Sequence, residues 1–60
     1  MMTVIDRNGN EINYSAAVAL MDDDIREDLA AEMAPCTEQE FFTAYEKAHE
    51  EKFGEEFKVN

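Results

Sequence analysis

The stretch from Thr37 to Phe53 carries Phe41, Phe42, Tyr45 and Phe53, four of the six aromatic residues in a chain of 60. Their spacing puts them on one side of an α-helix, and a chain this short has room for one modest core, so the densest aromatic stripe is expected to nucleate it. Residues 1–60 are therefore read as a single small acidic α+β domain. It lies near the lower size at which folding proceeds without a metal, a disulfide or a partner. The apolar residues recur with regular periods rather than being scattered, which argues for a folded domain and against a disordered tail.

The flanking chain supplies the rest of the fold. Thr3 to Asn13 reads as a β-hairpin turning at Asn8-Gly9, since Asn-Gly readily adopts the positive φ values of a two-residue turn; that register sets Ile5 opposite Ile12. Asn13 can cap a short helix reaching about Met21, with Tyr14, Val18 and Met21 on one face. Asp22-Asp23-Asp24 then interrupts and restarts the helix, its carboxylates favoured by the helix dipole. Ile25, Leu29 and Met33 form a narrow apolar stripe with Glu27, Asp28 and Glu32 outside it. Pro35 stops this helix, and Thr37-Glu38-Gln39-Glu40 fits a capping box opening the aromatic one. On a helical wheel Glu46, Glu50, Thr43, Lys47 and Glu51 face away from the aromatic arc, which also contains His49 and Lys52. Gly54 fits a C-terminal cap. Glu55 to Val59 alternates like a strand, Phe57 and Val59 pointing inward, and is expected to join the hairpin as a third strand.

Fifteen acidic residues against five Lys and Arg give a net charge of -10. Most of the excess lies between Asp22 and Glu56, the helical part. Such a surface repels nucleic acid and anionic membranes and is drawn to basic patches, including the grooves in which proteins hold DNA or RNA. Carboxylates on one helix face recur about every 6 Å along the axis, comparable with the charge spacing of nucleic acid. Direct nucleic-acid binding and membrane binding are not expected.

No motif identifies a reaction. Cys36 and His49 are the only nucleophile and base of the usual kind, but they sit at opposite ends of one predicted helix, too far apart for proton transfer. Asp6-Arg7-Asn8-Gly9-Asn10 invites a calcium-loop reading, yet its glycine comes too early and the closing glutamate is missing. Glu46 and His49 have the i, i+3 spacing of di-iron helix bundles, but the chain has one histidine and those sites need two such pairs. Adjacent carboxylates at Asp22-Asp23-Asp24 point in different directions and lack further ligands for magnesium or calcium. The expectation is no enzyme, no metal and no cofactor. One cysteine allows no internal disulfide, and the opening MMTVIDRNGN has neither the basic start nor the apolar stretch of a signal peptide, so a cytoplasmic setting is expected.

Three stretches carry a resemblance: Met21-Asp22-Asp23-Asp24-Ile25-Arg26-Glu27-Asp28-Leu29, Ala34-Pro35-Cys36-Thr37-Glu38-Gln39-Glu40-Phe41-Phe42, and Ala48-His49-Glu50-Glu51-Lys52-Phe53-Gly54-Glu55-Glu56-Phe57. Over roughly residues 5–57 the chain resembles short acidic proteins of phages and integrative elements of gut Firmicutes. Mobile elements commonly carry small acidic proteins that disable restriction or CRISPR systems, several by looking like DNA. The resemblance implies an inhibitor of a basic, nucleic-acid-handling defence protein in the cytoplasm of the bacterial host, of anti-CRISPR or anti-restriction type. Its binding surface is expected to comprise Asp23, Asp24, Glu27 and Asp28 on the second helix and Glu46, Glu50 and Glu51 on the third. The alternative is a small homodimeric interaction module pairing through leftover apolar surface around Phe42, His49 and Phe53.

Overall fold

A computed structural model describes residues 2–59. Strands β1 (Thr3–Ile5) and β2 (Glu11–Asn13) form an antiparallel hairpin, followed by helices α1 (Tyr14–Leu20), α2 (Asp23–Met33) and α3 (Glu38–Phe53). The fold is small and α+β, as the sequence implies.

The hairpin is one residue out of step with the expected register: Val4, not Ile5, faces Ile12. A longer loop is the reason. The Gly9 N–H donates to the Asp6 carbonyl and the Asp6 N–H to the Asn10 carbonyl, both at 3.0 Å, so Arg7, Asn8 and Gly9 all lie in the loop and Gly9 alone takes a positive φ, +84°. The Asp6 carboxylate enforces this turn by accepting the N–H groups of Asn8 (2.9 Å) and Asn10 (2.8 Å). These bonds, Asn10 foremost, hold its pKa below the ordinary aspartate value. A slip of one residue exchanges the faces of a strand, which is why Val4 is 1% exposed and Ile5 47%.

Each helix starts on a side chain able to bond its free amides. Asn13 Oδ1 accepts from Ala16 N (3.0 Å), and Asp22 Oδ2 from Ile25 N (3.2 Å). Thr37 and Glu40 form the full capping box, each side chain accepting the other's N–H at 3.1 Å. Gly54 closes α3 in the left-handed conformation, φ +73°, its N–H donating to the Glu50 carbonyl at 2.8 Å.

The core gathers Val4, Ala17, Met21, Ile25, Phe41, Phe42, Tyr45 and Phe57. Phe42 and Tyr45 are its centre, 1% and 0% exposed, each burial of this kind stabilising by about 1.5–3 kcal/mol. The Tyr45 hydroxyl accepts the Asp22 N–H at 2.7 Å, tying the start of α2 to the middle of α3.

The expected third strand does not form: among the described residues the sheet has two strands, and after a bend at Gly54 and Glu55 residues 56–59 belong to no helix or strand. Phe57 and Val59 do turn inward, as their alternation implies. Phe57 packs its ring edge-on to Tyr45 at 4.7 Å between centroids and lies 6.2 Å from Phe42. The segment lines a small cleft together with Asp6, Asn8, Asn10 and Ile12 of the hairpin without pairing to either strand.

Candidate functional site

Two acidic populations emerge once the helices are packed. On α2 the side chains of Asp23 and Asp24 are 82% and 85% exposed. Glu27 and Asp28 are likewise exposed, while Ile25 is buried and Leu29 packs against the core. Arg26 pairs with Asp23 at 3.1 Å, and Lys52 of α3 lies 3.2 Å from Asp22 and 3.9 Å from Asp24. The Ile25 N–H and then Lys52 lower the Asp22 pKa. The outward face of α2 thus presents a row of hydrated carboxylates whose fields add over distance and weaken with salt.

The acids of α3 are arranged differently. Glu46, expected on the outer face, is buried, 4% exposed, which corrects the wheel reading. Its carboxylate accepts the Arg7 N–H at 3.3 Å, and burial pushes its pKa above the ordinary glutamate value against the opposing pull of Arg7. Glu50 is half-exposed and forms an ion pair with the Arg7 guanidinium. Glu51 is exposed.

A polar row on α3 explains the difference. Gln39, Thr43, Glu46 and Glu50 follow one another at i, i+4, i+7 and i+11, a single stripe beside the aromatic one. The Gln39 amide accepts from Ile5 N (2.7 Å) and donates to Ile5 O (2.9 Å), standing in for the missing neighbour of β1, and donates to Thr43 Oγ1 at 3.2 Å. Glu46 continues this edge at Arg7. The stripe is a dock for the hairpin, and Arg7, Gln39 and Thr43 are the residues that the sequence reading missed. An amide, a hydroxyl and a carboxylate at helical spacing next to an apolar face were the available signal.

The candidate dimer face is largely taken up within the chain. Phe42 is buried, which removes it from any such surface. His49 is half-buried between Phe53, Phe57 and Tyr45, with centroids at 4.7, 5.1 and 5.7 Å, and its Nδ1–H donates to the Glu55 carbonyl at 3.1 Å. Phe53 stays 47% exposed, with the Lys52 ammonium 5.4 Å from its ring centre. Cys36 is an exposed free thiol. Among the described residues no group of three or more His, Cys, Asp or Glu side chains is placed to hold a metal, and no helix is long and apolar enough to cross a membrane.

Residues 5–57 match the family described as anti-CRISPR protein AcrIC5. The chain belongs to the AcrIC5 family. It is thereby an anti-CRISPR protein, an inhibitor of CRISPR defence. The AcrIC5 match runs from the last residue of β1 to the Phe57 anchor, so it spans the docked hairpin turn, all three helices and the C-terminal segment. No curated protein is significantly similar to the chain.

Proposed function

We propose that this AcrIC5-family protein disables its target without catalysis, by laying an acidic face on a basic surface with which a Cas protein holds nucleic acid. Asp23, Asp24, Glu27 and Asp28 of α2 form the main part of that face, and Glu51 of α3 extends it, while Glu50 stays paired with Arg7 on the hairpin side. Glu46, turned inward to the hairpin, supports the scaffold and takes no direct part. The observation that carries the reading is the outward row on α2: exposed carboxylates held at fixed spacing on a helix anchored through Ile25, Asp22 and Tyr45. A rigid row of this kind offers a cationic groove charges about 6 Å apart in place of phosphates. The protein itself repels nucleic acid and uses no cofactor. It acts in the cytoplasm of a bacterial host, carried there by a mobile element.

The test is capture of a purified CRISPR effector complex on the immobilised protein at two ionic strengths. Binding is expected at about 50 mM salt and is expected to fall steeply by about 200 mM. Binding of equal strength at both, or unchanged after neutralising the four α2 acids, contradicts the reading.

A further inference from the structure

Between Leu20 at the end of α1, His49 on α3 and the C-terminal segment lies a cleft of about 540 Å³, lined by Leu20, His49, Glu55, Glu56, Phe57 and Lys58. Its lining joins two chemistries. Leu20 is 56% exposed, an aliphatic side chain the core does not take in, and it lines the cleft together with the half-buried His49, whose ring packs against the core residue Phe57. Glu55 and Glu56 add two carboxylates, with Lys58 on the lining and Arg7 of the hairpin loop attracting Glu56. Glu56 is steadied at the rim, its Oε1 accepting Asn8 Nδ2 at 3.0 Å. The bond from His49 Nδ1 to the Glu55 carbonyl fixes the imidazole in the wall.

We propose that this cleft is a socket for an arginine side chain of the partner protein. The proposal rests on the reading above, in which the partner surface is basic, and gives that contact an anchor. Arginine combines an apolar stem with a planar cation that stacks on aromatic rings and forks onto carboxylates, and the cleft offers a surface for each part. The chain already makes one such contact, since the Lys52 ammonium lies over Phe53, the ring next to His49. Other occupants fit less well. An acidic peptide or a nucleic acid meets Glu55 and Glu56 on a chain of net charge -10. A purely apolar side chain strips water from the two carboxylates without pairing them. A second copy joined by a two-fold axis through the cleft brings the same carboxylates together.

The experiment is an amide NMR titration of the full chain with end-capped Gly-Arg-Gly, and in parallel with Gly-Lys-Gly, Gly-Leu-Gly and Gly-Glu-Gly. The arginine peptide is expected to shift the resonances of Leu20, His49, Glu55 and Phe57 saturably, and to bind at least about threefold more tightly than the lysine peptide. Glu55→Gln and, separately, Leu20→Ser are each expected to weaken it by about fivefold, both side chains being exposed and outside the core. At about 150 mM salt, where distant charges are screened, a triple variant Asp24→Asn, Glu27→Gln, Asp28→Asn is expected to change the peptide's affinity by less than about twofold.

Absence of saturable shifts in the cleft overturns the socket, as do equal binding of the lysine or leucine peptide, shifts confined to α2, or concentration-dependent shifts without peptide. If the arginine peptide fails while salt-sensitive capture of the effector persists, the socket falls and the acidic-face reading stands. If the peptide binds but capture is insensitive to salt and to the α2 acids, that reading falls instead.

Discussion

The acids of α2 and the pair Glu46 and Glu50 on α3 are alike in sequence and opposite in use. Asp23, Asp24, Glu27 and Asp28 point into solvent, lightly tethered by Arg26 and Lys52. Glu46 and Glu50 turn toward the hairpin, one on the Arg7 amide and the other on its guanidinium. What separates them is the uncapped outer edge of β1, whose backbone groups need partners and draw in the polar stripe of α3. Negative charge on a helix is therefore not a measure of binding surface. Some of it holds the fold together.

This contrast makes predictions of decreasing size. Neutralising the α2 row with Asp23→Asn, Asp24→Asn, Glu27→Gln and Asp28→Asn is expected to weaken effector binding about 100-fold at low salt, while circular dichroism and the unfolding midpoint show the fold retained. A smaller loss, or loss only through unfolding, breaks the division between the two helices. Gln39→Ala leaves both the N–H and the carbonyl of Ile5 without their side-chain partner at the hairpin edge. It is expected to lower stability in urea by about 1–2 kcal/mol with effector affinity unchanged once folded.

Glu46→Gln keeps an acceptor for the Arg7 N–H and removes the charge. Because the folded-state pKa of Glu46 is raised, its contribution to stability is fully present below the ordinary glutamate value and is lost as pH rises through the higher folded value. The variant is therefore expected to be more stable than the parent at neutral pH, by up to about 0.5 kcal/mol after solvent screening, with the gap closing on acidification. A variant less stable at neutral pH contradicts this. Asp22 has the opposite sign: its pKa is lowered by the Ile25 amide and Lys52, so its contribution is present above the ordinary aspartate value and is lost as pH falls through the folded one. Asp22→Asn retains the cap but is expected to flatten the acid limb of the stability curve slightly, read by denaturation across that window.

Local chemistry was legible in the sequence, and long-range partnership was not. The caps at Asn13, Thr37 and Gly54 involve groups within one turn of each other and form where the residues indicate, and within the Asp22-Asp23-Asp24 restart it is Asp22 that caps. The hairpin register depended on whether Asp6 would hold a longer loop, a choice that Asn8-Gly9 alone does not decide. The alternation of Phe57 and Val59 correctly placed both side chains inward, but side-chain period says nothing of which backbone, if any, lies alongside. Glu46 and Phe42 were misplaced on the candidate surface because their surroundings come from the hairpin and the C-terminal segment, far away in the chain. The α2 row was readable because the narrow stripe of Ile25 and Leu29 leaves its other sides to solvent.

The most direct measurement is a competition on the purified effector complex between this protein and the complex's own nucleic-acid substrate, followed by native gel or sedimentation. The acidic-face account predicts mutual exclusion: substrate displaces the protein in proportion to its concentration, and the α2-neutralised variant no longer competes. A stable ternary complex that holds effector, substrate and inhibitor together contradicts it.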